Sequence, residues 1–219
     1  MNRDFIRKCI AECIGTYILV FCGTGAVIIN QQTNGTVTHA GIAITFGLVV
    51  MSLIYALGDI SGAHMNPAVT IAFTIAKRFA PANVLPYIFS QVTGAILASL
   101  TLKILFPTNE FLGATIPAGT DLQSFVLECL LSFFLMLVII NVATGSKETG
   151  MFAGLAIGSV VLLEAMFAGP VSGASMNPAR SIGPALVSNH LQSLWIYLAA
   201  PVIGAAAAIP CWQYLKNKK

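Results

Sequence analysis

The sequence predicts an all-α integral membrane protein: six transmembrane helices and two re-entrant half-helices, arranged as an inverted repeat of three spans each. Three observations carry that expectation. Charged residues are scarce, six apolar stretches approach spanning length, and an eight-residue motif occurs twice.

Hydrophobic residues fill 57% of 219 positions and charged residues 9%. A soluble domain carries about 25% charged residues, so most of this surface is not built to face water. The apolar stretches run over 10–29, 37–57, 84–106, 125–143, 151–168 and 194–212. A hydrocarbon core of about 30 Å needs roughly 20 helical residues. None of the stretches shows sustained period-two alternation, which argues against barrel strands. Helices then remain, because lipid leaves backbone groups to be satisfied internally. The first stretch follows Arg3, Arg7 and Lys8 in the manner of a signal peptide. Its apolar run continues past Ile28 without a clean small-residue cleavage site, so it is expected to be a retained helix.

Charge orients the expected bundle. With the N-terminus cytoplasmic, Arg3, Arg7, Lys8, Lys77, Arg78, Lys147, Lys216, Lys218 and Lys219 share one side, and only Lys103 and Arg180 lie on the other. Nine against two satisfies the positive-inside rule with both termini in the cytoplasm. The net charge of +3 then concerns membrane orientation and implies no nucleic-acid partner. No organelle-targeting segment is read, so a bacterial inner membrane or a plasma membrane is the expected location. Cysteines 9, 13, 22, 129 and 211 lie in or beside apolar helices without metal spacing, so they read as buried, inert thiols. No cofactor or metal is expected.

The internal repeat sets the architecture. Ser61-Gly-Ala-His-Met-Asn-Pro-Ala68 returns as Ser172-Gly-Ala-Ser-Met-Asn-Pro-Ala179, 111 residues later. Ala11-Glu12-Cys13 answers Leu127-Glu128-Cys129 at 116, and Gly41-Ile-Ala-Ile44 answers Gly154-Leu-Ala-Ile157 at 113. The chain is therefore expected to form one domain of two copies, about 1–113 and 114–219. Three spans per copy is an odd number, so the second copy must enter from the opposite face. Inverted repeats put their site near the midplane, where the halves meet.

The motif has its own physics. The segments 69–76 and 180–187 are helical in composition but too short to span. Asparagine is a favoured N-cap, and proline suits the first helical position. Alanine in the next place leaves room for two helix ends to abut. Asn66-Pro67-Ala68 and Asn177-Pro178-Ala179 are thus expected to start two half-helices that meet N-terminus to N-terminus. Each end carries about half a positive charge. The preceding stretches, Gly62-Ala63-His64 and Gly173-Ala174-Ser175, become extended backbone at membrane depth. Such backbone is tolerated only where it lines a watery cavity or is buried in protein. Their carbonyls are expected to form an acceptor rail, with both asparagine amides donating at the centre. Arg180 follows one turn outside Asn177, about 4.5 Å further along. There it must face water and acceptors, and is expected to repel cations while donating to a passing solute.

On these residues the sequence resembles the aquaporin, or major intrinsic protein, family over nearly the whole chain. Both Asn-Pro-Ala boxes, Ala11-Glu12, Leu127-Glu128 and Asn177-Pro-Ala-Arg180-Ser181 carry the resemblance. The wording Ser-Gly-Ala-Ser-Met-Asn-Pro-Ala-Arg-Ser is most like the nodulin-26-like branch and its bacterial relatives. The resemblance implies homotetramers with one pore per subunit, and a constriction in which Phe46, Ala165 and Ala174 join Arg180. It also implies that Glu12 and Glu128 brace the motif loops. Water-selective relatives typically place histidine where Ala165 stands, and nodulin-26-like channels commonly place tryptophan at Phe46. The implied ring is wide.

The expected function is a passive channel for water and small uncharged solutes, such as glycerol-type polyols, urea and metalloid hydroxides, that excludes protons and ions. A strictly water-selective channel is the narrower alternative. A secondary transporter would share the inverted repeat and broken helices, but it would also need alternating access and, for coupling, an ion site. An enzyme is not expected, since no Ser/His, paired Asp or HExxH arrangement falls on facing helices. Glu164 could brace the ring or face a neighbouring subunit. Asp59 reads as a solvated helix end at the cytoplasmic mouth, with an influence on the vestibule as its alternative. His39 and His190 read as loop histidines.

Overall fold

Helix ends fall where the side chains permit. The computed structural model describes residues 3–216. In chain order the helices are α1 (Arg3–Gln32), α2 (Thr38–Ser61), α3 (Pro67–Ile75), α4 (Val84–Leu105), α5 (Asp121–Ala143), α6 (Lys147–Met151), α7 (Ala153–Ser172), α8 (Pro178–Ser188) and α9 (Leu194–Lys216). A 3-10 turn, Pro81–Asn83, leads into α4, and the described residues contain no strand. Among the described residues, the long helices α1, α2, α4, α5, α7 and α9 are the six with the length and apolar character to cross a membrane. Lys218 and Lys219 lie outside the described residues.

Capping explains the boundaries that matter. Thr120 opens α5 by accepting from the Gln123 amide. α2 and α7 both stop at a glycine in the left-handed region, Gly62 at φ 88° and Gly173 at φ 84°. Glycine adopts that conformation without a Cβ penalty, so the chain turns out of each helix into a motif loop. Asn66 then opens α3 by accepting from the Ala68 amide, and Asn177 opens α8 by accepting from Ala179 and Arg180. Proline holds the first helical position in both.

Close packing repeats between the halves. α1 lies against α4 and α5 against α9, while α2 and α7 face one another. At Gly94 of α4 an added Cβ would collide with the Cys13 carbonyl of α1, and at Gly204 of α9 it would collide with the Cys129 carbonyl of α5. α2 and α7 cross through glycine as well: a Cβ on Gly47 would lie 2.7 Å from the Gly158 oxygen, and one on Gly158 2.7 Å from the Gly47 oxygen. Small residues let helices approach this closely in membranes. The outer wall is apolar and open, with Leu85, Phe89 and Ile104 of α4 all more than 70% exposed, as a surface facing lipid requires.

Two expectations need correction, and one element was not expected. His39 sits on the first turn of α2 rather than in a loop. The five cysteines are half-buried, because each lies on a helix flank between the core and the outer wall. The short helix α6, just before the fifth span, had no apolar signal to mark it.

The glycine contacts generate a prediction. Gly94→Val must push α4 off the α1 backbone, since the obstacle is a carbonyl and not a flexible side chain. Overpacking of this kind costs about 1–3 kcal/mol or more. The variant is expected to lose thermal stability in detergent, read by size-exclusion survival after heating, whereas Gly25→Val, beside one Leu102 methyl at 3.5 Å, is expected to retain it.

Candidate functional site

The two motif loops are built on buried carboxylates. Glu12 accepts from the Ser61 hydroxyl at 2.7 Å and the His64 amide at 2.9 Å on one oxygen, and from the Met65 amide at 2.6 Å on the other. Glu128 does the same in the second loop, taking Ser172 at 2.7 Å, the Ser175 amide at 2.9 Å and the Met176 amide at 2.8 Å. Both carboxylates are fully buried. The loops they hold are unusual backbone: Ala63, Met65, Ala174 and Met176 all have φ between 41° and 54°. Non-glycine residues in that region are strained and persist only where surrounding contacts fix them. The carboxylates supply those contacts.

Further anchors complete each loop, and the sequence reading missed them. The Tyr87 hydroxyl donates to the Ser61 carbonyl at 2.9 Å, and Tyr197 donates to the Ser172 carbonyl at 2.6 Å. In the first half Gln91 donates to Glu12 at 2.8 Å and to Thr70 at 3.0 Å. The second half uses hydroxyls instead, with Thr115 donating to Ser181 at 2.8 Å and Ser181 bonded to Ser175 at 2.6 Å. A signal was available for the tyrosines, which stand 110 residues apart, close to the repeat offset. The His64 ring stacks on Phe73 at 4.9 Å and meets Phe79 and Tyr87 edge-on or tilted, so its side chain is packed while its amide serves Glu12.

The asparagines stitch the halves together. Asn66 Nδ2 donates to the Met176 carbonyl and Asn177 Nδ2 to the Met65 carbonyl, each at 2.8 Å. Their oxygens are used as helix caps. An amide nitrogen carries two hydrogens, so each asparagine keeps one donor beyond its cross-link. Both line a cavity of about 710 Å³ that extends from Asp59 and Lys147 at one end to Phe46, Ala165, Ala174 and Arg180. Gly62, Ala63, His64 and Ser175 also line it.

Some predicted wall residues stand back from the cavity. Gly173 is absent from its lining because it caps α7, bonding the Gly169 carbonyl, and packs against Thr115. Pro67, Ala68, Pro178 and Ala179 lie behind the asparagines in the buried half-helix starts. Glu12 and Glu128 do not line the cavity either, in keeping with a bracing part.

At the ring, Arg180 Nη1 donates to the Gly113 carbonyl at 2.8 Å, and its guanidinium carbon lies 5.2 Å from the centre of the Phe46 ring. Gly23 of α1 makes room for that ring, since any Cβ there would collide with it. Ala165 and Ala174 add little bulk, and both are lined up on the cavity wall. Arg180 is 4% exposed, and its Nε has no hydrogen-bond partner among the described residues. Asp59 is exposed and lines the cavity at the end away from Arg180, so its two readings, solvated helix end and vestibule wall, coincide. Glu164 is 1% exposed within the single chain, which removes the alternative that it faces a neighbouring subunit. Neither of its oxygens has a partner among the described residues.

The two kinds of buried acid predict opposite outcomes. Glu128→Gln turns an acceptor into a donor facing an N–H, and an unsatisfied buried group costs about 1–3 kcal/mol. It is expected to lower the thermal midpoint and abolish transport in reconstituted vesicles. Glu164→Leu removes two orphaned oxygens and is expected to raise the midpoint. Differential scanning fluorimetry reads both.

Comparison with known proteins agrees with this geometry. A model of the family described as major intrinsic protein matches residues 1–212. Aquaporin NIP1-1 of Oryza sativa subsp. japonica is 51% identical over 211 residues, covering 96% of this chain and 74% of that protein. Nodulin-26 of Glycine max is 50% identical over 216 residues, covering 98% and 79%. Among solved structures, the aquaglyceroporin from Plasmodium falciparum matches with a TM-score of 0.86 at 25% identity over 95% of each chain. With its paired half-helices, its braced loops and a family match over nearly all its length, this multi-pass membrane chain belongs to the major intrinsic protein family.

Proposed function

We infer that the protein is a passive channel for water and small uncharged solutes of the glycerol and urea class, metalloid hydroxides included, and that it excludes protons and ions. The observation that carries the solute range is the ring at one end of the cavity, where Ala165 and Ala174 leave open the space that larger side chains would fill. Phe46 offers such a solute an apolar face, and Arg180 offers hydrogen-bond donors. Water passes the same ring and then meets the spare amide hydrogens of Asn66 and Asn177. The names of the relatives, aquaporins and an aquaglyceroporin, support the same reading.

Ion exclusion follows from charge. A cation approaching the ring meets Arg180, and at the centre it meets the positive ends of α3 and α8. The acids Glu12 and Glu128 are occupied by loop amides and stand off the cavity. The channel is a conduit and not an enzyme. We further propose one channel domain over 1–219, made of two copies near 1–113 and 114–219; the matching bonds of Glu12 and Glu128 support that division. Both termini face the cytoplasm of a cell membrane, an orientation supported by the basic residues of the expected inner side. The family supports a homotetramer with one pore per subunit.

Stopped-flow light scattering on proteoliposomes tests the solute range. The wild type is expected to accelerate both shrinkage in an impermeant osmolyte and re-swelling in glycerol. Ala165→His is expected to keep water flux and lose glycerol flux by about tenfold or more, the scale on which a side-chain-sized change discriminates in a fitted site. Fast water with no glycerol flux in the wild type would replace this reading with a strictly water-selective channel.

A further inference from the structure

α7 carries Pro170 inside its last turns. Proline has no N–H, so the Met166 carbonyl four residues earlier loses its helical partner. In a membrane such a freed carbonyl must be satisfied from a neighbouring element. His39, on the first turn of α2, reaches across with Nε2 at 2.6 Å from the Met166 oxygen. A carbonyl only accepts, so Nε2 carries the proton of this bond. The approach needs the glycine beside it: a Cβ on Gly169 would lie 2.7 Å from His39 Cε1.

The position of this contact matters. Met166 adjoins Ala165, and His39 lies seven residues, two helical turns, from Phe46 on the same helix. The helices it joins are those that supply Phe46 and Ala165 to the ring. At their other ends the same pair is tied again, with the Leu155 amide donating to the Tyr55 hydroxyl at 3.2 Å. Between the two ties lies the tight glycine crossing at Gly47 and Gly158. α2 and α7 thus meet most closely at two glycines, flanked by Leu162 and Met51, and are held by one polar strap at each end.

We propose that His39 is a positioning residue for solute selection: its imidazole N–H takes up the carbonyl that Pro170 leaves open and so sets the spacing of Phe46 and Ala165. Without that strap the outer ends of α2 and α7 separate about the glycine pivot, and the ring admits larger solutes more readily. This inference rests on the reading of the ring as the place where solutes are selected.

The test uses the full chain in proteoliposomes, with glycerol and water permeabilities measured on the same preparations. His39→Leu, which has no donor, is expected to raise the glycerol-to-water ratio about fivefold, the factor that one net hydrogen bond supplies. His39→Gln keeps an N–H donor and is expected to retain the wild-type ratio. Pro170→Ala restores a backbone N–H to Met166, so in that background His39→Leu is expected to leave the ratio where Pro170→Ala alone sets it. An unchanged ratio in His39→Leu, or an equal change with and without Pro170→Ala, would overturn the proposal. If His39→Leu does not fold, its recovery by Pro170→Ala supports the strap and failure in both backgrounds overturns it. Ala165→His separates the two readings. A ratio that moves with Ala165→His but not with His39→Leu sinks the strap alone, and a ratio that moves with neither sinks the ring as well.

Discussion

Two carboxylates, Glu12 and Glu128, hold up the centre of this protein. Each spends its oxygens on the amides and serine hydroxyl of one motif loop. Those loops run at membrane depth with left-handed residues, a conformation that neither helix nor sheet bonding maintains. Lipid offers no substitute donors or acceptors, so without the acids the loop amides would be buried and unpaired. The half-helices that the loops deliver, and the cavity between them, depend on that pair of side chains.

The buried acids Glu12 and Glu128 and the positive groups of the cavity are kept to separate places and separate tasks. The acids stand behind the loops and serve only backbone and side-chain donors. The positive groups, Arg180 and the N-termini of α3 and α8, are turned toward the cavity. The asparagines link the two systems, since each caps its own half-helix, ties the opposite loop and still keeps a donor hydrogen. In the proposed channel, a neutral molecule that exchanges hydrogen bonds would meet donors from these groups. The closest helix contacts carry no such chemistry. They are glycine against carbonyl at Gly94 and Gly204, and their work is to keep the scaffold narrow.

Much of this architecture is legible in the chain itself. The doubled motif points to both asparagine caps and to the equivalence of Glu12 and Glu128, because each depends on residues a few places apart or on the repeat itself, whereas Gly62 and Gly173, expected in extended backbone, are left-handed helix caps. Contact between distant segments is what escapes. Gln91 reaches Glu12 across 79 residues, Arg180 finds the Gly113 carbonyl across 67, and His39 finds Met166 across 127. A glutamine in an apolar stretch or a histidine near a helix start does not announce its partner. Gly173 and the proline–alanine pairs are expected on the cavity wall only if the motif is treated as one surface. In the fold each asparagine faces the cavity while the proline and alanine that follow it lie in the buried start of the half-helix.

The same acids that brace the loops could serve as a proton relay if they met the cavity, so proton flux tests the proposed exclusion of protons. The direct measurement is simultaneous water and proton flux in vesicles holding the wild-type protein, with light scattering for volume and an enclosed pH-sensitive dye under an imposed pH gradient. Water flux is predicted to rise with protein content while internal pH decays no faster than in empty vesicles. Proton entry that rises in step with water would contradict the assignment of Glu12 and Glu128 as braces held off the cavity.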